Sequence, residues 1–282
     1  MTQVHWLGLC CVLIGAASAE DLPPAVSTNL CADLWLTQLG APEQIVALSQ
    51  QSHNVRLSPI ADVARHYPSN RGSVEELLVL KPARALVYQG WNGRGQAHWL
   101  ADHGIALIAP EYPTTWDATL INAQQIAEAL GRAHAGQALI EQIDAQMQAL
   151  SGQLPPYRVL YLRPNGGSAG QDTYIDALLA HLGLRNLAAE QGLRGWGRVS
   201  LEQLIMEPPD LLLLGYFDQP QAVTQSGYAR HPLTQALFER LPTVSIPATA
   251  WGCGGLELVD TARLIVERIA KFTHDGAILE DD

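Results

Sequence analysis

Ser73-Val74-Glu75-Glu76-Leu77 runs on to Pro82 and Leu86, and Ser200-Leu201-Glu202-Gln203-Leu204 runs on to Pro209 and Leu213. Serine, glutamate, leucine, proline and leucine hold the same offsets in both segments. Each reads as the start of a capped helix, with serine at the N-cap and Glu76 or Gln203 three residues on. In that pattern side chain and backbone satisfy each other's free donors. Each helix stops at a proline, which cannot continue it, and gives way to a short apolar run. One copy lies in each half of the chain, which points to two lobes built on one plan.

Outward from these segments, short apolar runs alternate with helical patterns. The strand candidates are Ala25–Thr28, Ile45–Ser49, Ala85–Tyr88 and Ile105–Ala109, then Arg158–Leu162, Leu211–Gly215 and Thr243–Ile246. They are continuously apolar rather than alternating, as strands covered on both faces of a parallel sheet require. Between Thr115 and about Gly152 the rhythm changes to a long helical pattern carried by Ile121, Ile126, Leu130, Ile140, Ile143 and Met147. Gly131 interrupts it and Leu154-Pro155-Pro156 ends it. This stretch reads as a connector between two βα sets.

The 282 residues are 48% hydrophobic and 16% charged, which excludes a disordered, collagenous or coiled-coil chain. Lys+Arg 17 against Asp+Glu 28 gives a net charge of −11 with no basic run, so a nucleic-acid partner is not expected. Leu7 to Ala17 is a short apolar run, and Ala17-Ser18-Ala19 is a small-x-small cleavage site. Residues 1–19 therefore read as a secretory signal peptide cleaved after Ala19, and the remainder as an exported protein. Two of the four cysteines fall in that leader, leaving Cys31 and Cys253. An oxidising compartment favours one disulfide between them. The alternative is two free thiols at the cleft, open to a soft metal.

Ser73–Tyr88 also resembles the first lobe of the helical-backbone (class III) periplasmic binding proteins. These are the substrate-binding components of ABC importers for ferric siderophores, haem and cobalamin. The resemblance extends through Ser27-Thr28-Asn29-Leu30-Cys31-Ala32-Asp33, His103-Gly104-Ile105, Gly183-Leu184-Arg185-Asn186-Leu187-Ala188, Val199-Ser200-Leu201-Glu202 and Trp251-Gly252-Cys253-Gly254-Gly255, covering residues 24 to 272. It implies an α/β fold of two Rossmann-like lobes with mostly parallel sheets, joined by one long α-helix, with the ligand in the cleft between them. The N-terminal lobe would be residues 20–114, the connecting helix region 115–156 and the C-terminal lobe 157–282. It further implies a periplasmic monomer, no covalently bound cofactor, and docking on an ABC permease dimer through Glu75 and Glu202, neither of which would line the cleft.

Ligands of open α/β sheets sit beyond the C-terminal ends of the strands. The loops selected by that rule hold Asn29, His53, Trp91, Tyr112, Arg163, Tyr174, Trp196, Tyr216 and Trp251, taken here as the ligand-binding set. Aromatic planes suit a large flat ligand and a guanidinium an anionic group. A ferric siderophore or a corrinoid is the first expectation and haem the alternative, with axial ligation open to His53, Tyr112 or Tyr174. The nine histidines are scattered, so no direct metal site is expected. One enzyme motif stands apart: Gly166-Gly167-Ser168-Ala169-Gly170 fits the G-x-S-x-G nucleophile elbow. Asp210 or Asp218, with His231, would complete a secreted serine hydrolase. Pro164-Asn165 before the serine and Gln171-Asp172 after it do not suit a tight strand-to-helix turn, so the expectation is a binding protein without catalytic residues.

Overall fold

The computed structural model describes residues 22–274, so the expected signal peptide, 1–19, lies outside the described residues. The first lobe holds β1 (Ala25–Ser27), β2 (Ile45–Ser49), β3 (Ser69–Asn70), β4 (Arg84–Leu86) and β5 (Ala106–Ile108). Their spatial order is β3-β2-β1-β4-β5, and every neighbouring pair is parallel. The second lobe holds β6 (Arg158–Leu162), β7 (Gly167–Ala169), β8 (Arg185–Asn186), β9 (Trp196–Arg198), β10 (Leu211–Gly215) and β11 (Thr243–Ile246). Here β11-β10-β6-β8 form a parallel sheet, and β7 pairs with β9 in a separate antiparallel ribbon.

Both sheets reverse their winding once, between β1 and β4 and between β6 and β10. Such a switch point opens a crevice at the C-terminal ends of its two strands. The duplicated sequence segments form the helices that lead across these reversals: Val74–Leu80 runs from β3 to β4, and Leu201–Met206 from β9 to β10. Ser200 and Gln203 make the full reciprocal cap. Ser73 accepts the Glu76 N–H, but the Glu76 carboxylate turns back to the Arg71 N–H instead, at 2.7 Å.

The strands are apolar on both faces because both are covered. Val159, Tyr161, Leu211 and Leu213 face a large shared core, while Leu160, Leu162, Leu212 and Leu214 face a separate cluster on the outer side. Val26, Ala47, Ala85 and Val87 form the corresponding outer cluster of the first lobe. The shared core joins Trp35 and Leu36 of one lobe to Ile265 and Ile269 of the other through Ile126, Ile140 and Met147 of the connecting region.

That connecting region is helical throughout, but Gly131, at φ 72°, divides it into Trp116–Ala129 and Ala133–Leu150. The two helices fold back on each other. The Trp116 indole N–H donates to the Asp144 carboxylate at 2.8 Å, bringing the start of the first beside the far part of the second. A Cβ on Gly136 would stand 2.3 Å from the Ala127 Cβ, so the helices touch where a larger residue could not fit.

Cys31, in the first helix of one lobe (Leu30–Leu39), is bonded to Cys253, before the last helix of the other (Leu258–His274). The bridge spans 222 residues of sequence and crosses between the lobes, as the cysteine count leads one to expect. Replacing both cysteines by serine should lower the unfolding free energy by about 2–5 kcal/mol. Urea titration of the two proteins reads this directly, and coincident midpoints would show that the bridge constrains nothing.

Candidate ligand-binding site

The cleft is assembled at the two switch points. On the first lobe, Thr28 and Asn29 leave β1, Gln51 follows β2, Arg71 and Gly72 follow β3, and Gln89 to Gly93 follow β4. Together they line a pocket of about 460 Å³, within the range of small-molecule sites. Its lining is rich in amides: Asn29, Gln51, Gln89, Asn92 and Gln96. Asn29 has a second task, since its carbonyl oxygen caps the first helix by accepting the Ala32 N–H at 3.0 Å. Gln51 reaches the free N–H of Leu30 in the same turn, at 2.9 Å.

On the second lobe, Arg163 leaves β6 and Tyr216 leaves β10. The guanidinium carbon lies 4.4 Å above the Tyr216 ring centre, a cation–π geometry. Tyr216 adopts φ 67°, a left-handed conformation that costs a non-glycine residue roughly 1–2 kcal/mol. Beside this pair stands a cluster of rings. Trp196, carried on the β7–β9 ribbon and 44% exposed, packs 5.6 Å from Tyr174 and 6.3 Å from Tyr161. Its indole N–H donates across the lobes to the Tyr112 hydroxyl at 2.9 Å, and Tyr112 lies 6.0 Å from Tyr174. Burial pushes the Tyr112, Tyr174 and Tyr216 phenols up. Gln219 closes one rim, donating to the Arg56 carbonyl of the first lobe at 3.0 Å.

The floor between the two halves is the disulfide. Cys31 lines the amide-rich pocket. On the other side, Tyr88 donates to the Cys253 carbonyl at 2.8 Å, Tyr174 to Gly252 at 3.1 Å and Thr119 to Gly254 at 3.1 Å. Gly254, at φ 77° and with Pro113 2.9 Å from where a Cβ would sit, admits no other residue without displacement.

Two carboxyls, Asp33 buried and Glu257 half-buried, hold these segments. Asp33 accepts from the Ser27 and Ser49 hydroxyls and from the Ser49 N–H at 2.8 Å, which ties the first helix to the ends of β1 and β2. Glu257 accepts the N–H groups of Cys253 at 2.7 Å and Gly255 at 3.0 Å. Burial raises both carboxyls against the lowering effect of their donors.

Tyr112, Arg163, Tyr174, Trp196 and Tyr216 thus gather on one side of the cleft, and Asn29 on the other. Trp91 also lines the amide-rich pocket, but most of its ring is buried beneath it, with its N–H donating to the Gly72 carbonyl at 2.7 Å, because it fills the outer core of its lobe. Two expected contacts are placed away from both walls. Trp251 is 1% exposed and packs edge-on against Tyr161 at 4.5 Å, below the cluster. His53 is half-buried, with Nε2 unpartnered, and lines neither half. Glu202 is fully exposed, while Glu75, expected away from the cleft, stands at the edge of the amide-rich pocket. Each is kept below the usual carboxylate range by its own backbone N–H and the neighbouring Ser73 or Ser200 hydroxyl. Sequence reading passed over Gln51, Gln89, Asn92 and Gln96. The strand-end rule pointed to their loops, but aromatic content drew the choice of residues.

The hydrolase constellation does not form. Ser168 is buried in β7 and donates to the Tyr161 carbonyl at 2.7 Å. Asp210 accepts the Arg158 N–H, Asp218 the Ala248 N–H, and His231 the Leu233 N–H. Among the described residues no group of three or more His, Cys, Asp or Glu could hold a metal ion.

Residues 26–260 match the family model described as periplasmic binding protein. The chain belongs to that family. It is a solute-binding protein of the periplasm, of the helical-backbone class that serves ABC importers. A comparison with curated protein sequences finds no match. Similar solved structures include the periplasmic haem-binding protein HutB of Vibrio cholerae (24% identity, TM-score 0.70, 88% of this chain and 98% of that one). Another is the periplasmic vitamin B12-binding protein BtuF of Vibrio cholerae (16%, 0.66, 89% and 98%). A third is the periplasmic haem-binding protein RhuT from Roseiflexus sp. RS-1 in apo form (22%, 0.67, 88% and 99%). At these identities the likeness is one of fold.

The half-buried Glu257 makes a pH-dependent contribution to the stability of this binding protein. Its raised pKa means the folded state holds the proton more tightly than the unfolded chain. The associated stability is present at low pH and is lost as pH climbs from the ordinary glutamate value of 4.5 through the raised one. Glu257→Gln keeps the acceptor oxygen and removes the titration. Paired urea titrations should therefore show the variant gaining on the native protein as pH rises through that window. A gap that stays constant with pH would count against a titrating Glu257.

Proposed function

We propose that this binding protein captures a metal tetrapyrrole in the periplasm, with haem as the leading candidate, and presents it to an ABC permease. The observation that carries the reading is the ring cluster of Tyr112, Tyr174 and Trp196 spanning the two lobes, with Arg163 beside it over Tyr216. Rings of this kind offer flat contact area to a flat macrocycle. A guanidinium close to them can pair with a propionate carboxylate. Of the three side chains open to axial ligation, Tyr112 suits it best. Its half-exposed phenol joins the cluster at the interlobe seam, whereas Tyr174 already donates to Gly252 and His53 lies outside both halves of the site. HutB and RhuT, which share this fold, are haem-binding proteins, and this favours haem among the tetrapyrroles.

A corrinoid is the second reading. It is favoured by the amides of Asn29, Gln51, Gln89, Asn92 and Gln96 on the opposite wall, which complement a ligand fringed with amides rather than carboxylates. Titration of the purified protein with haemin, cyanocobalamin and a panel of ferric siderophores separates these outcomes through the Soret band and tryptophan quenching. Trp196→Ala should cost about 1–3 kcal/mol of binding to the true ligand. Tyr112→Phe should abolish the haem spectral shift if the phenol ligates iron. Quenching by siderophores alone would overturn the tetrapyrrole reading.

Docking follows from the same reading. We place Glu75 and Glu202 opposite cations of the permease, one on each lobe. Glu202 does not line the pocket, so it gives the cleaner test: Glu202→Lys should stop uptake while ligand affinity stays within twofold of wild type. Normal uptake by the Glu75→Lys/Glu202→Lys protein would remove both residues from the interface.

A further inference from the structure

The exposed surface repeats itself in a way the ligand site does not use. Among the described residues the two most exposed large apolar side chains are Met206, at 82%, and Val79, at 78%. Each stands four residues after one of the two glutamates: Val79 after Glu75 and Met206 after Glu202. On a helix that spacing places both side chains on one face, a turn apart. Both pairs lie on the helices that lead across the switch points, Val74–Leu80 and Leu201–Met206, and both helices start on the side of the sheet where the strands end and the cleft opens. Neither Glu75 nor Glu202 takes part in an ion pair among the described residues. Ile205, 47% exposed, adds to the apolar area around Met206. Around Val79 a groove of about 260 Å³ runs between Glu75, Glu76 and the edge strand residues Ser69 and Asn70.

Side chains this exposed bury little apolar area in the fold, and the same acid–apolar pair appears once per lobe. We infer that Glu75–Val79 and Glu202–Met206 are two copies of one docking patch, in which a carboxylate meets a cation and the side chain a turn later enters an apolar recess beside it. This rests on the docking reading above and deepens it. A patch duplicated by the two lobes fits a partner that presents one recess twice, a two-fold symmetric membrane protein. The exposed carboxylate of each patch is complemented by a basic residue beside each recess. The occupant we assign is therefore the permease homodimer, with Val79 in one subunit and Met206 in the other.

The test uses salt-washed, right-side-out inner-membrane vesicles of the native host and fluorescently labelled protein, with unlabelled variants as competitors. Val79→Ser/Met206→Ser should compete roughly tenfold more weakly than wild type, with the salt dependence of binding unchanged. Glu75→Lys/Glu202→Lys should fail to compete. If charge reversal abolishes competition but the serine pair competes within twofold of wild type, the apolar contacts are wrong and the charge contacts stand. If charge reversal also competes normally, the docking reading falls and takes the patch with it. A photo-crosslinker at position 79, and separately at 206, should join the protein to the same membrane polypeptide. Adducts to a second copy of this chain, or to different polypeptides from the two positions, would overturn the assignment.

Discussion

The covalent link between Cys31 and Cys253 is the constraint around which the cleft is organised. It joins the first helix of one lobe to the segment before the last helix of the other, and a carboxyl secures each attachment point. Asp33, two residues after Cys31, collects donors from the ends of β1 and β2. Glu257, four after Cys253, collects the backbone donors of the Gly252–Gly255 loop. A bridge between two loose segments would limit separation without fixing orientation. Between two anchored segments it sets both, and Tyr88, Tyr174 and Thr119 can then reach the same loop. The helical hairpin of the connecting region acts in the same direction, because the shared core runs through it from lobe to lobe.

Within that frame each lobe contributes a different chemistry at an equivalent place. The β1–β4 switch point is walled by amides and the β6–β10 switch point by an arginine on a tyrosine ring, with the aromatic cluster alongside. The two walls differ in what they offer: amide donors and acceptors on one, flat aromatic faces with a guanidinium on the other. The duplicated crossover helices carry an outward-facing repeat as well, so the pseudo-symmetry that shapes the cleft also places one exposed glutamate and one exposed apolar side chain on each lobe.

The site also holds the costs expected of a binding cleft. Tyr216 is in the left-handed region, the Trp251 indole nitrogen is buried without a partner, and Asp33 is a carboxyl out of water. Such features persist only where the surrounding packing over-determines them. In the second lobe that packing is the Tyr161–Trp251 pair and the close approach of Gly215, where a Cβ would stand 2.7 Å from both rings; in the first, Ser27 and Ser49 hold Asp33.

The sequence by itself determined the two-lobe plan, and it did so through local physics. β2, β6, β10 and β11 follow from runs such as Leu211–Leu214, which only a doubly covered strand explains. The serine caps and prolines mark the crossover helices, and the surviving cysteines pair as a two-cysteine exported chain suggests. What it left open is what local pattern cannot encode. β3 and β8 are two-residue strands with polar members, and β7 and β9 are glycine-bearing and pair with each other rather than with the sheets. No hydrophobic period announces them, yet β9 is what lifts Trp196 into the cleft. Trp91, Trp196 and Trp251 all sit in loops near strand ends and look alike in sequence. Tertiary packing alone buried the first and third and exposed the second, because the outer core of the first lobe and the space over Gly215 each had room for an indole. The amide wall of the first lobe came together for a similar reason. Its members lie on three separate loops and in a following turn, and only the reversal of strand order at β1 and β4 draws them to one pocket.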